Sequence, residues 1–210
     1  MRLLITAAIL TLWVGLVQSH GYLKDPIART SIQLREAEFN TQQPYWWDNQ
    51  GVWCGNVKQS PNYETCGRCG DAPGETLANQ NGIYDKKVIV ATYTAGSIIE
   101  VKSEYQAPHG GQYSLELCPQ ETETDNCFVP LTILGGTDQV LNNTMCVTNE
   151  YEELTARVQL PQGVRCERCT VRWTYRTYYN SDPWDPAWEI CWLNPAPTQI
   201  FRNCADVRII

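Results

Sequence analysis

The chain carries only two histidines in 210 residues, so any imidazole-based metal site has its ligands named in advance. It is also short of positive charge. Sixteen Lys and Arg stand against 23 Asp and Glu, for a net charge of −7, and without clustered cations the phosphate contacts of nucleic-acid binding have no source. Beyond the first residues no apolar run approaches the roughly 20 residues that a membrane span requires. There is no internal repeat, no low-complexity tract and no Ser-, Thr- or Pro-rich linker. A single domain without nucleic-acid or membrane partners, expected as a monomer, fits these absences. No sustained helical pattern is present, and no pair of carboxylates stands out as an acid/base couple.

What the chain does have begins at its first residues. Met1-Arg2 is followed by an apolar stretch from Leu3 to Val17, with Val17 and Ser19 at the minus-three and minus-one positions of a cut. Residues 1–19 therefore read as a secretory signal peptide, leaving a mature, extracellular chain of residues 20–210. All ten cysteines lie in that mature part, and an even number in a secreted chain points to five disulfides. Cys66-Gly67-Arg68-Cys69 and Cys166-Glu167-Arg168-Cys169 could instead form a four-thiolate zinc site. An oxidising compartment and the remaining cysteines argue against that.

Residues 88–94, 98–105, 113–118, 131–134, 155–160, 171–178 and 201–210 are short, rich in β-branched or aromatic residues, and separated by turn formers. Thr155 to Leu160 and Arg172 to Arg176 alternate polar with apolar, so each can bury one face against a second sheet. The expected fold is an all-β immunoglobulin-like or fibronectin III-like β-sandwich. Residues 20–87 differ, with a short helix expected at Ser31–Phe39 and then a loop-rich stretch holding Trp46, Trp47 and Trp53. That stretch should pack on the sandwich as a disulfide-pinned excursion. Asn142-Asn143-Thr144 is the glycosylation sequon, expected on a surface loop with Asn142 as the acceptor.

Cleavage after Ser19 makes His20 the first residue, which puts a free α-amine and an imidazole on one amino acid. The amine and Nδ1 can close a six-membered chelate ring on a metal, whereas Nε2 points away. With reference pKa values of about 7.7–8.0 and 6.5, both groups give up their protons to a Lewis acid near neutrality. Planar nitrogen donors favour Cu(II). The other histidine, His109, lies in Ala107-Pro108-His109-Gly110-Gly111, a turn between two expected strands where small neighbours leave a coordination sphere open.

These residues resemble a known family. His20-Gly21-Tyr22-Leu23, Ala107-Pro108-His109 and the closing Phe201-Arg202-Asn203-Cys204-Ala205-Asp206-Val207 are similar to the lytic polysaccharide monooxygenases. Cys66-Gly67-Arg68-Cys69-Gly70-Asp71 and Arg172-Trp173-Thr174-Tyr175 resemble their fifteenth auxiliary-activity family. The resemblance implies one copper ion held by His20 and His109 on a flat face that docks an insoluble polysaccharide, chitin or cellulose. It implies oxidative cleavage through hydroxylation at C1 or C4, with an external electron donor and hydrogen peroxide or dioxygen as co-substrate. Phe201 matches the axial aromatic, here without a phenol oxygen, and Ala107 the small residue at the opposite axial position. Tyr22, Trp46 and Trp47, if exposed, would offer rings for sugar stacking. A chitin-binding module or a copper scavenger with the same ligands is the alternative. Copper- and reductant-dependent release of oxidised oligosaccharides separates the enzyme from both.

Overall fold

The computed structural model describes residues 20–49, 66–72, 74–148, 150–177, 191 and 199–210, together with the backbone of residues 53–56. The expected leader 1–19, the Trp53 side chain and the end of the expected strand at Tyr178 lie outside the described residues. In chain order the strands are β1 (His20–Asp25), β2 (Trp53–Asn56), β3 (Ala91–Tyr93), β4 (Ile98–Ala107), β5 (Gln112–Cys118) and β6 (Val129–Pro130). They continue with β7 (Thr132–Gly136), β8 (Val140–Leu141), β9 (Thr144–Cys146), β10 (Glu153–Gln159), β11 (Cys166–Arg176) and β12 (Gln199–Ile209). One sheet has the order β1-β4-β10-β7. The other runs β2-β12-β11-β5-β9-β8, with β3 added beside β12 and β6 beside β5.

Alternation explains why the two sheets face each other. In β4, Ile99, Val101, Ser103 and Tyr105 are buried while Glu100 and Gln106 face water, and in β10 Leu154, Ala156 and Val158 turn inward. Tyr113, Leu115 and Leu117 of β5 and Val171, Trp173 and Tyr175 of β11 meet them from the second sheet. Side chains of period two on each sheet thus fill one apolar layer between them.

The sandwich expectation holds, with differences of detail that have physical causes. β1 was not among the expected strands because His20-Gly21-Tyr22-Leu23-Lys24-Asp25 shows no clean alternation. β2, β6, β8 and β9 are two to four residues long and too brief to carry a period. The strand expected at 88–94 contracts to Ala91–Tyr93, which pairs in parallel with β12. The helix expected at Ser31–Phe39 is a 3-10 helix over Arg29–Arg35 followed by a single α-turn at Glu36–Phe39. Neither end has a side-chain cap, and a segment this short owes its shape to packing rather than to propensity. Among the described residues no helix is long and apolar enough to cross a membrane.

The expected excursion covers the outer face of β12. That strand is buried without a break from Ile200 to Val207, on both faces. Cys69 bonds Cys204, which staples the excursion to the strand's middle. Cys118–Cys127, Cys146–Cys191 and Cys166–Cys169 are also formed, and Cys66 is disulfide-bonded. These pairings overturn the zinc alternative, since Cys66, Cys69, Cys166 and Cys169 retain no thiolate to bind a metal. Cys69 and Cys204 approach the Glu123 carboxylate closely enough to suggest a metal cluster, but their sulfurs are joined to each other.

Next to that staple lies a buried ionic cluster. Arg29, with a side chain 4% exposed, donates to Asp206 at 2.6 and 2.8 Å, to Glu123 at 2.9 Å and to the Ala78 carbonyl at 3.1 Å. Arg168 joins Asp206 to Asp85. Burial pushes the Asp85 carboxyl up, but the backbone N–H groups of Asn81 and Lys87 and the Arg168 guanidinium outweigh it and hold the pKa below the ordinary carboxylate range. A carboxyl lowered in the folded state adds stability above its unfolded pKa of about 3.9, and that stability is lost as pH falls through the lower folded value.

Replacing Arg29 with Met removes the buried cation that Asp206 and Glu123 share, leaving Asp206 to Arg168 and Glu123 to Arg68 at 3.5 Å. The variant should lose about 3–5 kcal/mol in urea unfolding at neutral pH. A loss under about 1 kcal/mol, the worth of a surface pair, would mean that the cluster does not hold the excursion on the sheet.

Candidate metal centre

β1 pairs antiparallel with β4 so that His20 lies opposite Ala107, Tyr22 opposite Glu104 and Leu23 opposite Ser103, with an irregularity between His20 and Tyr22. Gly21 falls at that irregularity. A Cβ there would come within 2.7 Å of the Tyr105 ring, and that ring, 1% exposed, has nowhere to go. Glycine after His20 is therefore what lets the strand cross the ring. The other edge of β1 is tied to β12, where the Leu23 N–H donates to Asn203 Oδ1 at 2.9 Å.

β4 ends at Ala107, and His109 stands in the turn that leads into β5. Gly110 and Gly111 take φ of 61° and 98°, the left-handed region that glycine enters freely, so the chain reverses within a few residues. The backbone of this turn is held from both sides. The His109 N–H donates to the Tyr175 hydroxyl at 3.2 Å, that hydroxyl donates to the Gly110 carbonyl at 2.8 Å, and the Val147 N–H donates to the Gly111 carbonyl at 2.9 Å.

His109 is buried, and its pKa lies below the ordinary imidazole value, first because burial disfavours the cation and second because positive charge on His20 opposes it. The two imidazoles therefore share one electrostatic neighbourhood. A neutral imidazole is the form that binds metal, and the donors that the two imidazoles offer are nitrogen, which suits Cu(II).

Phe201 lies opposite Tyr175 in the β11–β12 pairing. It is 2% exposed and stacks on Tyr175 with centroids 5.9 Å apart and planes at 28°. It thus belongs to the sandwich core and also touches the residue that grips the His109 turn. Its hydrocarbon ring has no group that could exchange a proton.

The expected stacking surface needs correction. Tyr22 is 3% exposed, and burial together with Glu104 pushes its phenol up to about 12, so its ring offers no face to a sugar. In β1 its phenol stands beside Glu104, its partner on β4. Trp46 is half-buried, packed edge-on against Tyr84 at 5.3 Å, and its carbonyl accepts from Gln33. It serves to fasten its own loop. Trp47 differs, at 84% exposed. Asn142 is exposed at the tip of the β8–β9 hairpin, where it and Asn143 take φ of 50° and 65°, as a two-residue turn requires.

Tyr175 stands in the Arg172-Trp173-Thr174-Tyr175 stretch, but the sequence gives no sign of its contact with the turn. Alternation along β11 turns it inward, but its partners at residues 109 and 110 are more than 60 residues away in the chain, and no local pattern announces them.

The family described as lytic polysaccharide mono-oxygenase, cellulose-degrading, matches residues 20–207. A lytic polysaccharide monooxygenase of the AA15 family from Thermobia domestica, solved in the Cu(I) state, is 32% identical with a TM-score of 0.71, over 90% of this chain and 98% of that one. A chitin-binding domain from Burkholderia pseudomallei is 14% identical with a TM-score of 0.54, over 92% of this chain and 100% of that one. A cellulose-active lytic polysaccharide monooxygenase in complex with copper is 15% identical with a TM-score of 0.51, over 90% and 98%. At those lower identities the likeness is one of fold alone. By sequence and by fold the chain belongs to the lytic polysaccharide monooxygenases, in their AA15 family, and is a copper-dependent oxidoreductase of polysaccharides.

Proposed function

We propose that the His20 α-amine and Nδ1, with a ring nitrogen of His109, hold the copper ion, and that the enzyme attacks crystalline chitin or cellulose outside the cell. The observation that carries this reading is the β1–β4 register: His20 lies opposite Ala107, and His109 stands two residues further on, in the turn that follows β4. The reading requires removal of residues 1–19, since before cleavage the His20 nitrogen is an amide whose lone pair is delocalised.

Bound there, copper supplies the one-electron chemistry by which hydrogen peroxide, or dioxygen with an external electron donor, hydroxylates C1 or C4 of a sugar. A sugar hydroxylated at either carbon loses its glycosidic partner by elimination, so no paired carboxylates are needed, in contrast to glycoside hydrolysis. The protein's own contribution is placement. The buried turn would present His109 as a neutral donor, Ala107 would offer only a methyl group opposite His20, and Phe201 would add a hydrocarbon ring without an oxygen donor. Trp47, exposed in the loop-rich segment, is a ring that can stack on a glycan. The enzyme acts as a secreted monomer, and Asn142 on its hairpin tip takes the glycan.

His109→Ala in the mature protein should weaken Cu(II) binding by at least about tenfold and abolish oxidised oligosaccharides in mass spectra of parallel chitin and cellulose digestions. The parent's products assign the substrate, and aldonic-acid against C4-oxidised ends assigns the carbon. Parental copper affinity with undiminished products in the variant would remove His109 from the site.

A further inference from the structure

We propose that the Tyr175 hydroxyl is the group that positions His109, acting through the backbone of the turn and not through the imidazole. The phenol does two things at once: it accepts the His109 N–H at 3.2 Å and donates its own proton to the Gly110 carbonyl at 2.8 Å. One oxygen thereby bridges consecutive residues of the turn. The turn needs such a bridge because it runs through Gly110 and Gly111, and glycine has the widest choice of backbone conformations.

The hydroxyl can act as a fixed point because its ring cannot move. Tyr175 is fully buried. Tyr105 meets it edge-on at 5.1 Å, Trp173 lies 5.8 Å away and Phe201 stacks at 5.9 Å. Tyr105 is the same ring over which Gly21 crosses. The His20 strand, the His109 turn and Phe201 are therefore referenced to neighbouring rings of one cluster, and Tyr175 links that cluster to the turn by hydrogen bonds. A Phe at this position would keep the ring and leave the buried His109 N–H without its acceptor, which costs more than the lost bond alone. Tyr175 is a positioning residue, and this role rests on His109 holding copper.

The test compares Tyr175→Phe, Tyr105→Phe and His109→Ala in the mature protein. Tyr105 is an equally buried phenol whose hydroxyl pairs with Ser103 at 3.0 Å and not with the turn. Tyr175→Phe should bind Cu(II) about tenfold more weakly, shift the Cu(II) electron paramagnetic resonance spectrum, and speed hydrogen exchange of the His109 amide in copper-free protein. Tyr105→Phe should lower the unfolding midpoint while leaving the affinity and the spectrum as in the parent. If His109→Ala loses copper but Tyr175→Phe keeps the parental affinity and spectrum, the phenol only fills the core and the proposal fails alone. If His109→Ala binds copper like the parent, the ligand assignment fails and takes the proposal with it. Should Tyr175→Phe not fold, the unsubstituted copper-free protein decides: slow exchange of the His109 amide supports the clamp, and exchange at the rate of an open loop overturns it.

Discussion

The backbone pairing of β1 with β4 sets His20 opposite Ala107, and the other features of the metal end are arranged around that register. Side chains alternate along a strand, so a slip of one residue would carry His20 to the opposite face and put Gly21 in its place. Several independent contacts prevent the slip. Gly21 is the residue that can cross the Tyr105 ring, Leu23 is buried and bonded through its N–H to Asn203, and Lys24 pairs with Glu104 at 2.6 Å and Glu153 at 2.7 Å on the outer face. The strand that begins at His20 is thus fastened on both edges.

The excursion between β1 and β3 contributes in a different way. Its disulfide to Cys204 and the Arg29–Asp206–Glu123 cluster hold the outer face of β12, the strand that supplies Phe201 and Asn203 to the site's side. Buried ion pairs of this kind do not by themselves make a fold more stable than apolar packing would. They do make the docking of the excursion specific, because each carboxylate is costly in any arrangement that separates it from its cation.

Much of this was present in the sequence. The long strands declared themselves by alternation, and β4, β5, β10 and β11 are found close to where the residue pattern puts them. The two histidines drew attention because there are no others to choose from. What stayed hidden depends on contacts distant in the chain. Tyr22 looked like a surface ring because it neighbours His20, yet it is buried beside Glu104. Trp46 and Trp47 are adjacent and chemically alike, and only packing against Tyr84 separates one from the other. The pairing of Cys69 with Cys204 spans 135 residues, and Tyr175 reaches back to a turn on another strand. No window of sequence contains either relation.

The proposed copper ligand set includes an α-amine that exists only once residues 1–19 have been removed. A protein made with one extra residue ahead of His20 should therefore fold with the parental unfolding midpoint but lose tight Cu(II) binding, because an amide replaces the α-amine. Titration of Cu(II) into the extended protein, and again after a protease has removed the extra residue, measures this directly. Binding should be weak in the extended protein and return to parental affinity on trimming; parental affinity before trimming would remove the α-amine from the ligand set.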